Sequence, residues 1–242
     1  MAKIDKSQYT KQEFRLIKEQ RRLAKLKTQS LETPIQEVET PNTQPIDKNT
    51  AFVLGNGVSR SSISPEQLKL LGSVYGCNAL YRTFAPDYLI AVDVKMIIEI
   101  NKSGYQKNHQ VWTNPNKAYA KTNGFNFFQP SKGWSSGPTA LWLSVQHGNK
   151  QIYILGFDYQ GIGKDNKFNN MYADSMNYKK SSDSGTFYGN WMRQTKSVIQ
   201  DNPNIQFTRV IASDNYIPEE LNKFSNLEHI TIDTFKKIQN LT

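Results

Sequence analysis

The stretch Ala51–Arg60 reads AFVLGNGVSR, and it joins a short apolar run to a turn rich in small residues. An apolar run of this length that ends in glycine is typical of a buried strand in a parallel sheet. Gly55 and Gly57 lack a Cβ, so they allow a tight turn and let a ligand approach the main-chain N–H groups. The stretch predicts a strand with a ligand-facing turn at its carboxyl end, although an ordinary strand-to-helix turn would use the same residues.

Further short apolar runs follow along the chain and alternate with helical patterns. This alternation predicts an α/β, Rossmann-like domain with a mostly parallel sheet and helices on both faces. The predicted strands are Ala51–Leu54, Ser73–Cys77, Tyr88–Val92, Gln110–Trp112, Gln151–Leu155 and Ile205–Val210. The predicted helices are Pro65–Leu71, Val94–Lys102, Gly137–His147 and Tyr188–Gln200.

The chain of 242 residues divides into a tail and one domain. Residues 1–28 carry nine Lys/Arg against three acidic residues, with apolar positions at heptad-like spacing, which predicts a basic amphipathic helix. Residues 29–50 hold three prolines among polar residues and predict a flexible linker. Residues 51–242 form the Rossmann-like domain, and a long polar segment at about 159–191 predicts a lid-like insertion or a disordered surface loop.

The composition restricts the cellular setting and the class of partner. No apolar run approaches the length of a membrane span, no secretory signal precedes the tail, and Cys77 is the one cysteine, so we expect a cytoplasmic protein. The net charge of +9 favours anionic partners such as nucleotides, nucleic acid or acidic protein surfaces. The basic helix predicts docking to a protein assembly or to nucleic acid.

Metal-binding motifs are missing from the sequence. No CxxC or HxxxH spacing occurs, so no dedicated metal site is expected. Mg²⁺ held by Asp93 or Asp158 together with ligand phosphates would leave no motif and stays open.

Polar or small residues follow five of the predicted strands in succession. These residues are Asn56, Asn78, Asp93, Asn114 and Gly156, the last of which is followed by Asp158 and Tyr159. Asparagine and aspartate are also common in turns, so any one of them has an ordinary explanation. Five such residues at one edge of a parallel sheet predict a polar pocket that binds a ribose and a base.

The stretch Lys132–Leu141, KGWSSGPTAL, predicts a helix that begins near Ser135 and Ser136. Proline suits the first turn, because its missing N–H would have no partner there. The free N–H groups and the positive end of the helix dipole predict an anion site, although an ordinary capped helix has the same pattern.

These pieces in this order resemble a known family. The chain has strand-GNGxS, strand-CN, a helix that opens SSGPTAL, and then HGxKxIYxxGxD over residues 147–158. The pattern over Ala51–Ile199 resembles the small bacterial sialyltransferases of glycosyltransferase family 42. It also resembles the Rossmann-like domain of archaeal-type 6-hydroxymethylpterin diphosphokinases. The chain further looks like uncharacterised marine bacteriophage proteins, which would place it in an infected host cell.

The sialyltransferase resemblance implies a CMP-activated sugar donor, a nucleotide site and catalysis without a metal. The catalytic candidates are Asp158, Tyr188 and Asn190. The family has a catalytic histidine where Asn190 stands, and asparagine cannot accept a proton at neutral pH. Either another group such as Asp158, Asp183 or Tyr188 serves as the base, or the reaction is not glycosyl transfer to an ordinary hydroxyl. Together with the strand-end pattern, the resemblance implies a nucleotide site formed by Gly55, Asn56, Gly57, Ser59, Arg60, Asn78, Asp93, Asn114, Ser135, Ser136, Gly137, Thr139, Gly156 and Tyr159.

The sequence therefore favours three alternative functions. The first is a nucleotide-dependent transferase, glycosyltransferase-like, that uses a nucleotide-activated sugar donor of CMP type. The second is diphosphokinase-type transfer from ATP, with Mg²⁺ and Arg60, Lys132, Arg193 and Lys196 as the candidate phosphate clamp. The third is a non-catalytic module of phage assembly that binds a nucleotide or nucleic acid.

Overall fold

The computed structural model describes residues 49–213 and 216–241. The predicted basic helix at 1–28 and nearly all of the predicted linker at 29–50 lie outside the described residues. The first strand begins at Thr50, one residue inside the predicted linker.

The described residues form one eight-stranded sheet in which every pairing is parallel. The strands are β1 (Thr50–Leu54), β2 (Ser73–Cys77), β3 (Tyr88–Ile90), β4 (Val111–Thr113), β5 (Phe125–Phe127), β6 (Gln151–Leu155), β7 (Gln206–Ile211) and β8 (Leu227–Thr231). Their order across the sheet is β5-β4-β3-β2-β1-β6-β7-β8. The predicted α/β, Rossmann-like fold is confirmed.

Five α-helices lie in the described part of the chain, together with short 3₁₀ turns. They are α1 (Pro65–Lys69), α2 (Val94–Ser103), α3 (Ser136–Gln146), α4 (Gly189–Gln200) and α5 (Ile232–Gln239). Local sequence explains where two of them begin, because Ser64 caps α1 and Thr231 caps α5 through their side-chain oxygens.

Strand β1 is buried on both faces, and its alternate residues enter two separate cores. Ala51 and Val53 pack in the core that includes residues of α3 and α4. Phe52 and Leu54 pack in the core that includes residues of α1, α2 and α5. Helices therefore cover both faces of the sheet, as predicted.

The sequence reading missed three elements and misplaced several ends. Strands β5 and β8 and helix α5 were not predicted. Strand β3 ends at Ile90 rather than Val92, and β4 and β7 each lie one residue further along the chain than predicted. Helix α1 ends at Lys69 and α3 begins at Ser136, each within two residues of its predicted bound. None of the described helices is long and apolar enough to cross a membrane.

Candidate functional site

The strand order places a topological switch point between β1 and β6. The chain leaves β1 and builds outward to β5, then returns to the other side of β1 with β6. In open parallel sheets, ligands bind outside the carboxyl ends of the strands at such a point. A cavity of about 350 Å³ lies there, lined by residues that follow β1, β2, β3 and β6 and by the start of α3.

The cavity brings together most of the residues that the sequence singled out. Twelve of the seventeen predicted site residues line it: Gly55, Asn56, Gly57, Asn78, Asp93, Ser135, Ser136, Gly137, Gly156, Asp158, Tyr159 and Tyr188. Asn56, Asn78, Asp93 and the start of α3 at Ser136 therefore border one cavity.

Gly55 and Gly156 let the ends of β1 and β6 meet without side chains between them. A Cβ on Gly55 would lie 2.5 Å from the carbonyl oxygen of Gly156, and one on Gly156 would lie 2.8 Å from the carbonyl oxygen of Gly55. Gly156 also has a φ of +68°, which side chains disfavour. The close approach of these two backbones forms the floor of the cavity.

Asn56 joins the floor to the loop above it rather than presenting a free amide. Its Nδ2 donates to the carbonyl oxygen of Cys77 and to the hydroxyl of Tyr178, both at 3.3 Å. Its backbone carbonyl accepts a hydrogen bond from the N–H of Met171 at 2.8 Å. The predicted contact of Asn56 with a phosphate therefore competes with bonds that Asn56 already makes within the protein.

Asn78 is held in a left-handed conformation at the end of β2, with a φ of +50°. Ser136 Oγ donates to Asn78 Oδ1 at 2.8 Å and accepts the N–H of Val92 at 3.1 Å. This chain ties the ends of β2 and β3 to the start of α3. Because the Asn78 oxygen is bonded to Ser136, the amide nitrogen is the group left to donate to a ligand.

Asp158 is buried and serves the local structure through both carboxylate oxygens. Oδ1 accepts the hydroxyl of Ser59, and Oδ2 accepts the N–H of Ser59 at 3.2 Å and Nδ2 of Asn169 at 3.0 Å. A general base needs an oxygen available to the acceptor proton. The bonds made by Asp158 therefore weaken the prediction that it acts as the base.

Asp93 is the other carboxylate of the lining and lies in a different environment. It follows β3, precedes α2 and makes no side-chain capping bond to that helix. The residue is exposed at the cavity, yet loss of water to the surrounding protein raises the pKa of its carboxyl. Asp93 is thus better placed than Asp158 to exchange a proton.

Five predicted site residues do not line the cavity: Ser59, Arg60, Asn114, Thr139 and Asn190. Thr139 is buried and its hydroxyl bonds to the carbonyl oxygen of Ser135. Arg60 is buried against the carbonyl oxygen of Gly55, and Asn190 is exposed on α4. Side chains that the sequence assigned to ligand contact thus act in packing or face solvent.

The lining combines aromatic rings with amide and carboxylate side chains. Trp134, Tyr188 and Trp191 contribute to the lining, and the last two rings meet edge to face at 5.5 Å. Burial raises the pKa of Tyr188, so its hydroxyl stays protonated at neutral pH and can donate a hydrogen bond. Gln160, Asn169 and Asn170 also line the cavity but are not among the predicted site residues. The amide side chains that recur in the insertion are the sequence pattern that could have indicated them.

The insertion between β6 and α4 is anchored at its far end by an ion pair. Arg82 and Glu99 form a bidentate pair with both N···O distances at 2.7 Å, and Asn177 Nδ2 donates to Glu99 at 2.6 Å. Arg82 also donates to the carbonyl oxygen of Met176, and its guanidinium lies 5.7 Å from the centre of the Tyr178 ring. This anchor holds Tyr178 against Asn56 at the site.

Replacing Glu99 with glutamine should lower the free energy of unfolding by about 2 kcal/mol, because the partly buried Arg82 loses its charged, hydrogen-bonded partner. Burial raises the pKa of Glu99, but hydrogen bonds from Arg82, Tyr81 and Asn177 outweigh this and lower it. The pKa of Glu99 in the folded protein therefore lies below its unfolded value of about 4.3. The stabilisation by the Arg82–Glu99 pair is present above that value and is lost as the pH falls through the folded pKa. Urea unfolding at several pH values measures the loss of stability and its pH dependence. Limited proteolysis within residues 170–180 measures whether the insertion is released.

The control is Lys69→Met, which breaks the more exposed pair between Lys69 and Asp87. It should cost less than about 1 kcal/mol. Equal stability of Glu99→Gln and the wild type, with no faster cleavage of the insertion, would contradict the anchoring role.

Among the described residues, the charged side chains of the lining are the two carboxylates Asp93 and Asp158, and no described Lys or Arg lines the cavity. The described residues contain no group of three or more His, Cys, Asp or Glu arranged to hold a metal ion. No family model, curated protein or solved structure matches this chain. The family resemblance therefore stays a prediction, and the site has to be interpreted from its own geometry.

Proposed function

We propose that this chain is a nucleotide-dependent transferase that binds a nucleotide-activated sugar donor of CMP type in the switch-point cavity. The observation that carries the proposal is the position of the cavity between the ends of β1 and β6, where parallel sheets bind nucleotides. The volume of about 350 Å³ suits a nucleoside with one further group.

The start of α3 supports a phosphate site within this cavity. The first N–H groups of a helix have no partner inside the helix, and the Ser135 side chain makes no capping bond to them. Ser136 and Gly137, the first two residues of α3, line the cavity. Helix N-termini favour anions through their N–H groups and dipole.

The lining favours a donor with one phosphate over a nucleoside triphosphate. A triphosphate needs several cations, and the proposed clamp residues Arg60, Lys132, Arg193 and Lys196 all lie outside the lining. The diphosphokinase alternative therefore has less support than the CMP-type donor.

Two side chains are proposed to carry the chemistry of transfer. Asp93 accepts the proton of the attacking group as a general base, because no described residue bonds its carboxylate and its pKa is raised. Tyr188 lies in the lining, its buried hydroxyl has no hydrogen-bond partner among the described residues, and it is proposed to donate a hydrogen bond to the departing phosphate.

The exposed position of Asn190 favours a second candidate, a non-catalytic nucleotide-binding module. This candidate shares the nucleotide site and differs only in the absence of turnover. A measurement of CMP release from a CMP-activated sugar separates the two.

Binding is tested by thermal shift with cytidine, CMP, a CMP-activated sugar, CDP, and ATP with and without Mg²⁺. The proposal expects CMP and the activated sugar to raise the melting temperature more than CDP or ATP does, without a need for metal. Stabilisation by ATP only with Mg²⁺ would favour the diphosphokinase, and no stabilisation by any nucleotide would overturn the proposal.

A further inference from the structure

Two arginines are buried beside the cavity floor without lining the cavity. Arg60 is 3% exposed and Arg209, on β7, is 1% exposed. The ion pairs among the described residues are Lys69–Asp87 and Arg82–Glu99, so neither Arg60 nor Arg209 pairs directly with a described carboxylate. Burying an unpaired cation is costly, which calls for a compensating role.

Both guanidiniums bond to backbone carbonyls of residues that line the cavity. Arg60 Nε donates to the oxygen of Gly55. Arg209 donates through Nε to the oxygen of Phe157 at 2.9 Å and through Nη2 to that of Asp158 at 3.2 Å. The two arginines therefore support the loop after β1 and the loop after β6.

The planarity of the peptide bond gives these contacts a direction. In a trans peptide the C=O and the following N–H point opposite ways. The N–H groups of Asn56, Asp158 and Tyr159 therefore point away from the guanidiniums. These three residues line the cavity, whereas Arg60 and Arg209 do not.

We propose that Arg60 and Arg209 make the cavity floor a receptor for one anionic group of the phosphate monoester class, although no described residue with a basic side chain lines the cavity. Arginine stays protonated in proteins, so two positive charges lie beside the floor and offset the two carboxylates of the lining, Asp93 and Asp158. This inference deepens the proposed function and rests on the same cavity. It adds the source of the charge that attracts the phosphate.

Further observations agree with an electrostatic effect of the Arg60 and Arg209 guanidiniums on a ligand in the cavity. Burial lowers the pKa of both guanidiniums, and the negative charge of Asp158 acts in the opposite direction on each. The Tyr159 ring lies 5.0 Å from the Arg209 guanidinium carbon, which fixes the arginine under the loop. Buried charges are screened by salt much less than surface lysines are.

The test compares an anionic with a neutral ligand in variants that lose each charge. Arg60→Met and Arg209→Met should weaken the binding of CMP about tenfold and leave cytidine binding nearly unchanged. Arg60→Lys and Arg209→Lys should keep the preference for CMP over cytidine. The control is Arg193→Met, which removes an exposed cation of α4 and should leave the preference intact. Calorimetry gives both affinities.

A purely structural role of the arginines would weaken CMP and cytidine equally in the methionine variants, and that result would overturn the inference. If the methionine variants do not fold, the salt dependence of ligand binding by the wild-type protein tests the inference. Its preference for CMP over cytidine should change little between low and high salt, whereas a steep fall with salt would point to surface lysines and overturn the inference.

Inorganic phosphate separates this inference from the proposed function. Phosphate that shifts the NMR signals of the floor in a protein that binds no nucleotide would support the anion receptor and overturn the nucleotide function. Cytidine that binds as tightly as CMP would keep the nucleoside site and overturn the anion receptor.

Discussion

Replacing Gly55 with alanine is expected to lower the free energy of unfolding by about 3 kcal/mol. The new Cβ would lie 2.5 Å from the carbonyl oxygen of Gly156 and 2.8 Å from Cδ2 of Phe157. The first of these atoms belongs to the backbone of a central strand end, so it cannot turn away as a flexible side chain could. Urea unfolding monitored by circular dichroism measures the loss.

The matched control is Gly137→Ala, a change of the same size in the same cavity lining. The nearest atom to its Cβ is the ring carbon Cζ of Phe157 at 3.1 Å, and alanine favours the helix in which Gly137 lies. We expect its stability to stay close to that of the wild type. A Gly55→Ala protein as stable as Gly137→Ala would mean that the ends of β1 and β6 are not in close contact.

The central strands could be predicted from the sequence because they are buried on both faces. Strands β1, β2 and β6 read as almost continuous apolar runs that end in glycine or a polar residue, and a strand between two layers of helices produces this pattern. The cavity followed from the same reasoning, since parallel strands bring their carboxyl ends to one edge.

The edges of the sheet could not be predicted in the same way. Strand β5 has three residues, Phe125–Phe127, which are too few to show a period. Helix α5 buries one residue, Phe235, so its sequence Ile232–Gln239 reads as a polar segment. Strand β8 lies at the edge of the sheet, and its two buried residues, Leu227 and Ile230, are three apart, so it lacks both the apolar run of the central strands and a strict alternation.

The roles of single side chains depended on contacts that are distant in sequence. The Asn56 amide bonds to Tyr178, which lies 122 residues further along the chain. The residue type of Arg60 and its position after the glycine-rich turn predict a phosphate ligand. Its side chain instead donates to the carbonyl oxygen of Gly55 and is buried. The sequence predicts which residues arrive at a sheet edge, whereas packing decides which way each side chain points.

Replacing Asp93 with asparagine is expected to reduce the rate of CMP release from a CMP-activated sugar about 100-fold or more, because the variant lacks the proposed general base. The change keeps the size of the side chain and removes a negative charge from the lining, so the affinity for CMP should stay the same or rise. The raised pKa of Asp93 adds a second readout, since the proton acceptor is its ionised form. The wild-type rate should rise with pH through that pKa, and the variant should not show this rise.

The control is Asn190→Ala, which changes an exposed residue of α4 outside the cavity lining and should leave the rate within about twofold of the wild type. If Asp93→Asn lost as much affinity for CMP as it lost rate, Asp93 would not be the general base. It would instead bind the ribose hydroxyls. An unchanged rate in Asp93→Asn with a large loss in Asn190→Ala would contradict the proposed geometry of the active site. The assay decides between these roles because a base acts on the rate, whereas a ribose ligand acts on the affinity for both the donor and CMP.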